Sequence, residues 1–318
     1  NAGVNRSSLP QLLVAVAALV LSSACAGPNK GPKPAVSMRG QTLESPGLPE
    51  GKRDVMKLEA QAAMGSWEFE ATEMNAIWVG RRLAYLGQYR EAIGWYRGAL
   101  TGFQDSYRLR RHLGHRLLTV REIDDAITVL TRAQELAENQ PNRVEPDGAP
   151  GRSGEPRSTT HGNIDYHLAL AYYCKGKFNR AAELWLECAR TWSRNADARV
   201  AAVHWAYTSL VRAGRDDEAK RALDLVDEEP DVIENFAYGD LLALYRGKTS
   251  IAAALEREDR SAAFDYGLAR HMIATGDRER GEALLRDLVA RPGWPAFGVL
   301  AAEADVAAMA DEPPAADA

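Results

Sequence analysis

Cysteine is scarce in this chain of 318 residues, which contains only Cys25, Cys174 and Cys188. Three widely spaced cysteines exclude a disulfide framework and a Cys-x-x-Cys site. Net positive charge is also lacking, since the formal net charge is −5, which argues against a nucleic-acid partner bound through bulk charge. No apolar run reaches the roughly 20 residues of a membrane-spanning helix. The 46% hydrophobic content is that of a globular protein with a substantial core.

Motifs that carry catalysis or metal binding are missing as well. The sequence has no Gly-x-Ser-x-Gly, no glycine-rich phosphate loop before a helix and no His-Glu-x-x-His. His112 and His115 lie one helical turn apart, but the arginines that flank them disfavour a divalent cation. The sequence therefore predicts a protein that is not an enzyme, with no catalytic residue, no metal and no cofactor.

The amino terminus has the features of a bacterial signal peptide. Residues 1–26 contain one basic residue, Arg6, and an apolar run from Leu12 to Leu21, a length typical of a signal-peptide core. The following Leu21-Ser22-Ser23-Ala24-Cys25 resembles the lipobox of bacterial lipoproteins, which implies lipidation of Cys25. Ordinary cleavage at Ala24-Cys25-Ala26 and a misread start are the alternatives. The expected location is the periplasmic side of a bacterial cell envelope, with a lipid anchor only, or outside the cell.

A sequence repeat organises the middle of the chain. Six small or large residues between Gly80 and Ala99 are each matched, one fixed period later, by a residue of similar size. The second set is Gly114, Leu117, Ile123, Ala126, Leu130 and Ala133. Small residues at this spacing let two helices approach closely, while the large ones fill the space beside them. Weaker copies begin near Asn163, Ala198, Asn235 and Ala262.

This pattern resembles the tetratricopeptide repeat (TPR) family, whose unit is a helix-turn-helix of about 34 residues, the same length as the period from Gly80 to Gly114. The resemblance implies an all-α fold, a right-handed α-solenoid of antiparallel helix-turn-helix repeats. We predict a signal peptide at 1–26, a disordered tether at 27–53, the TPR-like solenoid at 54–310 and a disordered tail at 311–318. A last amphipathic helix from Trp294 to Met309 is expected to cover the end of the array.

An insertion interrupts the period between the second and third copies. Leu113 of the second copy corresponds to Leu168 of the third, a much longer step than that from Gly80 to Gly114. The extra residues, at about 141–161, are rich in proline and glycine and predict a loop outside the helical array. Long loops in compact arrays are either functional or passive. The titratable residues that a functional loop would use are Glu145, Asp147 and His161.

In the TPR family, first-helix residues line the inner face of the superhelix. The resemblance therefore implies a basic and aromatic binding groove, whose residues are Arg81, Tyr85, Arg108, Arg111, His115, Tyr166, Tyr173, His204, Arg212, Tyr245, Tyr266 and Arg270. Arginine offers forked donors to carboxylates or phosphates, and tyrosine offers rigid contact area. The alternative is a solvated surface in an arginine-rich chain, in which 31 of the 39 basic residues are Arg.

The function favoured by these features is a protein–protein interaction scaffold or adaptor that binds a partner segment, possibly acidic, in this groove. The alternative is a subunit of an envelope enzyme or assembly system with a site formed by the 141–161 loop over the groove. A self-assembling repeat protein is a third interpretation. The sequence does not identify the partner.

Overall fold

The computed structural model describes residues 34–45, 47–146, 158–192 and 195–311. Within these ranges the chain forms two strands and fourteen α-helices and divides into two compact units. Unit 1 comprises the described residues up to Pro141 except 38–40. Unit 2 comprises residues 38–40 and the described residues from Asn142 onward.

The described part of unit 1 consists of a short antiparallel strand pair followed by five helices. These elements are β1 (Ala35–Val36), β2 (Thr42–Leu43), α1 (Glu50–Phe69), α2 (Glu73–Tyr85), α3 (Tyr89–Gly102), α4 (Tyr107–Thr119) and α5 (Ile123–Ala137). Each helix packs against the next, and α2 also packs against α4. The α2–α3 and α4–α5 hairpins are the first two predicted repeats.

In each of the two hairpins of unit 1, a glycine at the equivalent position lets the two helices of that hairpin pack closely. A Cβ atom placed on Gly80 would lie 2.3 Å from the ring of Tyr96, and one placed on Gly114 would lie 2.4 Å from Cγ of Leu130. Tyr96 and Leu130 occupy equivalent positions in the two repeats, so each repeat places one large side chain over one glycine. The period of the sequence therefore corresponds to a repeated packing contact.

The turns of these hairpins also repeat. Gly87 ends the α2–α3 hairpin turn with a φ of 78°, and Arg121, at the equivalent position of the next hairpin, has a φ of 67°. Arg121 is the non-glycine residue with positive φ among the described residues. This left-handed conformation strains a residue that has a Cβ atom, so the turn geometry is imposed by the packing of the two helices.

Among its described residues, unit 2 contains nine helices. They are α6 (Thr160–Cys174), α7 (Phe178–Thr191), α8 (Ala196–Arg212), α9 (Asp216–Leu223), α10 (Phe236–Tyr245), α11 (Ile251–Leu255), α12 (Ala262–Ala274), α13 (Arg278–Ala290) and α14 (Phe297–Asp311). Successive helices from α6 to α9 pack together, as do α12 and α13. The core is aromatic: Trp185 and Trp205 are fully buried and stack with their ring centroids 5.2 Å apart.

The last helix, α14, packs against α12, α13 and α6. Its middle is buried on all sides, and this includes two acidic residues, Glu303 and Asp305, which are 2% and 3% exposed. Buried carboxylates are costly unless they are paired. The predicted terminal helix is present and packs against the array, but its middle is buried on all sides rather than amphipathic, and the burial of its acidic side chains was not predicted.

The predicted tether needs a correction. Residues 27–33 lie outside the described residues, but β1 and β2 pair with Ala35 opposite Leu43, and α1 begins at Glu50 rather than at Asp54. Hydrogen bonds stabilise this segment: Ser37 N donates to Gln41 O at 2.7 Å, and Ser45 Oγ donates to Gly87 O at 2.7 Å. Backbone pairing thus replaces the disorder that the proline content predicted.

The all-α fold class of helix-turn-helix repeats is confirmed within each unit. The second helix of the copy that begins near Asn235 is short, since α11 spans Ile251–Leu255. Helix α5 ends at Ala137 and α6 starts at Thr160, so the predicted insertion separates them. Residues 147–157 of that insertion, and the 312–318 part of the predicted tail, lie outside the described residues.

Candidate functional site

Four of the predicted groove residues surround one open pocket in unit 1. Arg81 and Tyr85 come from α2, and Arg111 and His115 come from α4. The pocket has a volume of about 110 Å³, and its remaining lining residues are Ala84, Tyr96, His112 and Arg116. We call these eight residues the basic pocket.

The repeat packing positions these side chains. Helices α2 and α4 are neighbours, and Gly80 and Gly114 let the second helices pack closely behind them. Arg81 and Tyr85 are four positions apart on α2, as Arg111 and His115 are on α4, so each pair lies on one helical face. The two faces border the same cavity, with Tyr96 of α3 behind it.

Hydrogen bonds fix the orientation of the pocket's side chains. Arg81 donates to the Tyr85 hydroxyl from Nε at 3.3 Å and from Nη2 at 3.1 Å. Arg81 also lies over the Trp78 ring, 4.7 Å from its centroid, a favourable cation–π distance. Both contacts restrict the Arg81 side chain and hold its guanidinium group near Tyr85.

The histidines of the pocket accept hydrogen bonds from arginines. Arg111 Nη1 lies 3.0 Å from His112 Nδ1, and Arg116 Nη2 lies 2.6 Å from His115 Nε2. A guanidinium group can only donate, so the imidazole nitrogens in these contacts are the acceptors. Neither contact supplies negative charge to the arginines.

Burial changes the acid–base properties at the base of the pocket. Desolvation lowers the pKa of Arg116, and nearby Arg111 lowers it further, while Tyr96 and Tyr89 act in the opposite direction. Desolvation also raises the pKa of Tyr96 well above its usual value. Both shifts indicate an environment poor in water, where charged partners interact strongly.

Arg108, the fifth predicted residue of unit 1, does not line the basic pocket. Its guanidinium Nη1 lies 3.2 Å from Glu73 Oε2 and its Nη2 lies 3.8 Å from Met74 Sδ. The ion pair with Glu73 is partly exposed. Arg108 thus contacts α2 through a carboxylate, whereas Arg81 and Arg111 border the open pocket.

In unit 2, predicted groove residues surround the carboxylate of Asp305 on α14. Arg212 Nη1 donates to Asp305 Oδ1, the Tyr266 hydroxyl donates to Oδ2 at 3.0 Å, and Arg270 Nη1 lies 3.7 Å from Oδ2. We call Asp305, Arg212, Tyr266 and Arg270 the Asp305 cluster. The chain therefore provides an example of arginine and tyrosine from first helices that bind an acidic side chain presented on a helix.

The electrostatics of the Asp305 cluster are those of a paired charge. Burial alone would lower the pKa of Arg212, but Tyr173, Tyr266 and Asp305 raise it above its ordinary value. Arg212 also lies over the rings of Tyr173 and Phe178, 5.2 and 4.0 Å from their centroids. The hydroxyls of Tyr173 and Tyr266 are 2.5 Å apart, which connects Tyr173 to the cluster.

The other predicted residues of unit 2 lie in its aromatic interior. Tyr166 contacts Phe297 of α14, with centroids 6.2 Å apart. His204 is fully buried, and its Nδ1 lies 3.0 Å from the Tyr245 hydroxyl. Burial lowers the pKa of His204 to about 3, so this ring is neutral and acts as a packing residue. Tyr173 and Tyr266 are buried as well.

Sequence reasoning missed several residues of both sites. Arg116 and His112 belong to the basic pocket, and their spacing from Arg111 and His115 on one helix could have indicated it. Tyr96 packs over Gly80 and also lines the pocket. Asp305 was missed entirely, although an acidic residue inside an otherwise apolar helix is a recognisable sign of a buried ion pair.

The two ends of the insertion are joined to each other and to α6. Glu145 N donates to Ser158 O and Thr160 N donates to Arg143 O, both at 2.9 Å. The Glu145 carboxylate is 7% exposed and accepts from Asn163 Nδ2 at 2.9 Å. Burial lowers the pKa of His161. Asp147 lies outside the described residues, so a catalytic loop at 141–161 stays a prediction.

Cys25, the predicted lipidation site, also lies outside the described residues. In the part of the chain that the structure describes, no group of three or more His, Cys, Asp or Glu side chains is arranged to hold a metal ion. None of the helices within the same ranges combines the length and apolar character needed to cross a membrane.

No protein-family model matches this sequence, and a comparison with curated proteins gives no match. Among solved structures, the chain is similar to the TPR-like repeats of a kinesin light chain-like protein from Podosopora anserina. The two are 16% identical, the alignment covers 75% of this chain and 94% of the other, and the TM-score is 0.41. The identity and the score are both too low to carry a functional assignment.

Proposed function

We propose that this protein is a non-enzymatic interaction scaffold that binds an acidic segment of a protein partner at the basic pocket of unit 1. The observation that carries the proposal is the composition of the pocket. Arg81, Arg111 and Arg116 line it, and no Asp or Glu is among the described residues that do so. A partner carboxylate would bring negative charge into this cavity.

The Asp305 cluster supports this choice of partner chemistry. There, two arginines and a tyrosine surround one carboxylate of a helix. The basic pocket offers the same residue types, with Tyr85 held beside Arg81 by hydrogen bonds. Forked arginine donors favour carboxylates in such settings. Unit 2 uses this chemistry within the chain, and unit 1 offers it to a second molecule.

We further propose that the scaffold works at the bacterial cell envelope, anchored through a lipid on Cys25. The support is the signal-peptide-like composition of residues 1–26 and the lipobox-like residues before Cys25. The intact mass of protein extracted from membranes tests this directly. A mass that includes acyl chains on a chain beginning at Cys25 is expected, and a mature protein that lacks Cys25 would contradict it.

Site-specific photo-crosslinking tests the binding surface. A photoreactive phenylalanine derivative replaces Tyr85 in the pocket, and the control places it at Glu138, which is exposed beyond the end of α5. We expect the Tyr85 position to crosslink an acidic stretch of one protein in envelope extract, as mapped by mass spectrometry. The crosslink should disappear when Arg81 and Arg111 are also changed to Glu.

Equal crosslinking from Glu138, or a crosslink at Tyr85 that survives both arginine reversals, would contradict the proposal. A crosslinked segment without acidic residues would contradict the partner chemistry. Each variant is checked by circular dichroism, so that loss of the helices is not mistaken for loss of binding.

A further inference from the structure

We infer that the acidic group recognised by the basic pocket is a phosphoryl group on the partner segment. This inference rests on the proposed function and narrows its ligand class. The number of arginines and the burial of Arg116 favour a dianion over a single carboxylate, and the size of the pocket accommodates it.

The number of arginines is the first reason. In the Asp305 cluster, one carboxylate of charge −1 lies within 4.0 Å of two arginines. In the basic pocket, three arginines border one cavity. A phosphorylated side chain carries about −1.5 to −2 charges at neutral pH and three acceptor oxygens. Its three acceptor oxygens offer one acceptor to each of the three guanidinium groups that line the cavity, whereas a carboxylate has two oxygens.

Arg116 is the second reason. This half-buried side chain lines the pocket, where its guanidinium contacts His115 Nε2 at 2.6 Å and lies 5.7 Å from the centroid of the Tyr89 ring. Neither group is negatively charged, and burial lowers the pKa of Arg116. A doubly charged oxyanion in the cavity would offset the desolvation of this guanidinium group.

The size of the cavity is the third reason. Its volume of about 110 Å³ is several times the roughly 10–15 Å³ of such space that one water molecule needs. This space accommodates a tetrahedral phosphoryl group beside the lining residues of α2 and α4. The pocket in unit 2 beside Arg212 and Arg270 has a volume of about 10 Å³, which is too small for such a group.

Titration calorimetry with small probes tests the inference on the full chain. The probes are inorganic phosphate, O-phosphoserine and glutamate, each at low ionic strength and neutral pH. We expect O-phosphoserine to bind at least about tenfold more tightly than glutamate. Arg116→Met, which keeps the apolar stem, should weaken O-phosphoserine binding about tenfold to a hundredfold, the range for a lost charged hydrogen bond.

Two further variants make the result interpretable. Arg132→Met removes the same charge from an exposed position on α5, where Arg132 pairs with Glu135, and it should leave binding unchanged. Arg116→Lys keeps the charge but not the forked donors, and it should retain part of the affinity. Circular dichroism and thermal denaturation confirm that each variant is folded.

Three outcomes would overturn the inference. O-phosphoserine binding that is equal in Arg116→Met and Arg132→Met would place the ion elsewhere on the surface. Absence of binding by both phosphate probes would remove the site. Equal affinity for glutamate and O-phosphoserine would mean that the pocket does not prefer a phosphoryl group over a carboxylate, and it would leave the proposed function standing. If the proposed function itself is wrong, partner binding will instead be unchanged when Arg81 and Arg111 are replaced by Glu.

Discussion

Gly114 is the residue that fixes the spacing of the α4–α5 hairpin. A Cβ atom at this position would lie 2.4 Å from Leu130 Cγ and 2.6 Å from Leu130 Cδ2, and Leu130 is fully buried. We therefore expect Gly114→Ala to lower the free energy of unfolding by about 1–3 kcal/mol, the usual cost of overpacking. Urea denaturation measures the change.

Gly94→Ala is the matched control, because Gly94 lies inside helix α3 and a Cβ atom there would have no neighbour within 4 Å. It should raise stability by roughly 0.5–1 kcal/mol, since alanine is the better helix former. Equal effects of the two substitutions would mean that the glycine does not set the hairpin spacing.

His204 illustrates how a residue predicted for a binding groove can serve in the core. The pKa of His204 is lowered to about 3 by burial, from 6.5 in the unfolded chain. The unfolded chain therefore takes up a proton that the native ring does not, and stability falls as pH drops below about 6.5. The expected slope approaches about 1.4 kcal/mol per pH unit.

The substitution His204→Gln removes this titration while keeping an acceptor for the Tyr245 hydroxyl, which lies 3.0 Å from His204 Nδ1. Between pH 7 and pH 5, the variant should lose roughly 2 kcal/mol less stability than the wild type. Urea denaturation at the two pH values gives this difference. A pH dependence identical in both proteins would show that His204 protonates in the folded state.

Among the helices of unit 2, α14 is distinguished by the buried ion pairs that it makes with two repeat helices. It supplies Asp305 to Arg212 and Arg270, whose side chains are 16% and 15% exposed. Removing one partner of a buried ion pair leaves the others desolvated and uncompensated. The helix is thus held by charge as well as by its apolar residues.

Asp305→Ala should consequently destabilise the protein by about 3–5 kcal/mol. The control is Asp287→Ala on α13, where the carboxylate is 60% exposed and pairs with Arg291, and where we expect a loss below about 1 kcal/mol. Thermal denaturation of both variants distinguishes the two cases. A loss at Asp305 no larger than at Asp287 would mean that α14 is held by apolar packing alone.

The helices were largely predictable, because the repeat period and its turns depend on residues that lie close together in the sequence. The hairpins α2–α3 and α4–α5 follow from residues at equivalent positions of two repeats, and the contacts of Gly80 and Gly114 with large side chains confirm that pattern. The pairing of β1 with β2 was not predictable from a proline-rich composition, because it depends on backbone hydrogen bonds such as Ser37 N to Gln41 O.

The site was only partly predictable, because part of it depends on contacts between segments that are distant in the sequence. Helical spacing correctly placed Arg81, Tyr85, Arg111 and His115 around one cavity. The burial of Tyr266 and Tyr173 depends on α14 and on aromatic packing between distant helices. Sequence spacing says which face of a helix a residue occupies, but it does not say which distant segment covers that face.

At the scale of the whole molecule, the two units differ in how they use similar residues. In unit 2, arginine and tyrosine surround an acidic residue of the chain itself. In unit 1, they border an open pocket whose described lining contains no acidic residue. This difference makes unit 1 the proposed binding unit, and it makes charge reversal there the most informative change.

The most direct test is the affinity of the partner segment identified by crosslinking, measured by calorimetry for three proteins. These are the wild type, the Arg81→Glu/Arg111→Glu variant, and a control with Arg132→Glu and Arg180→Glu, whose arginines are half-exposed and pair with nearby glutamates. We predict at least about a hundredfold weaker binding for the pocket variant and a change of less than about threefold for the control. Equal affinities in all three proteins would contradict the claim that the basic pocket of unit 1 binds the partner.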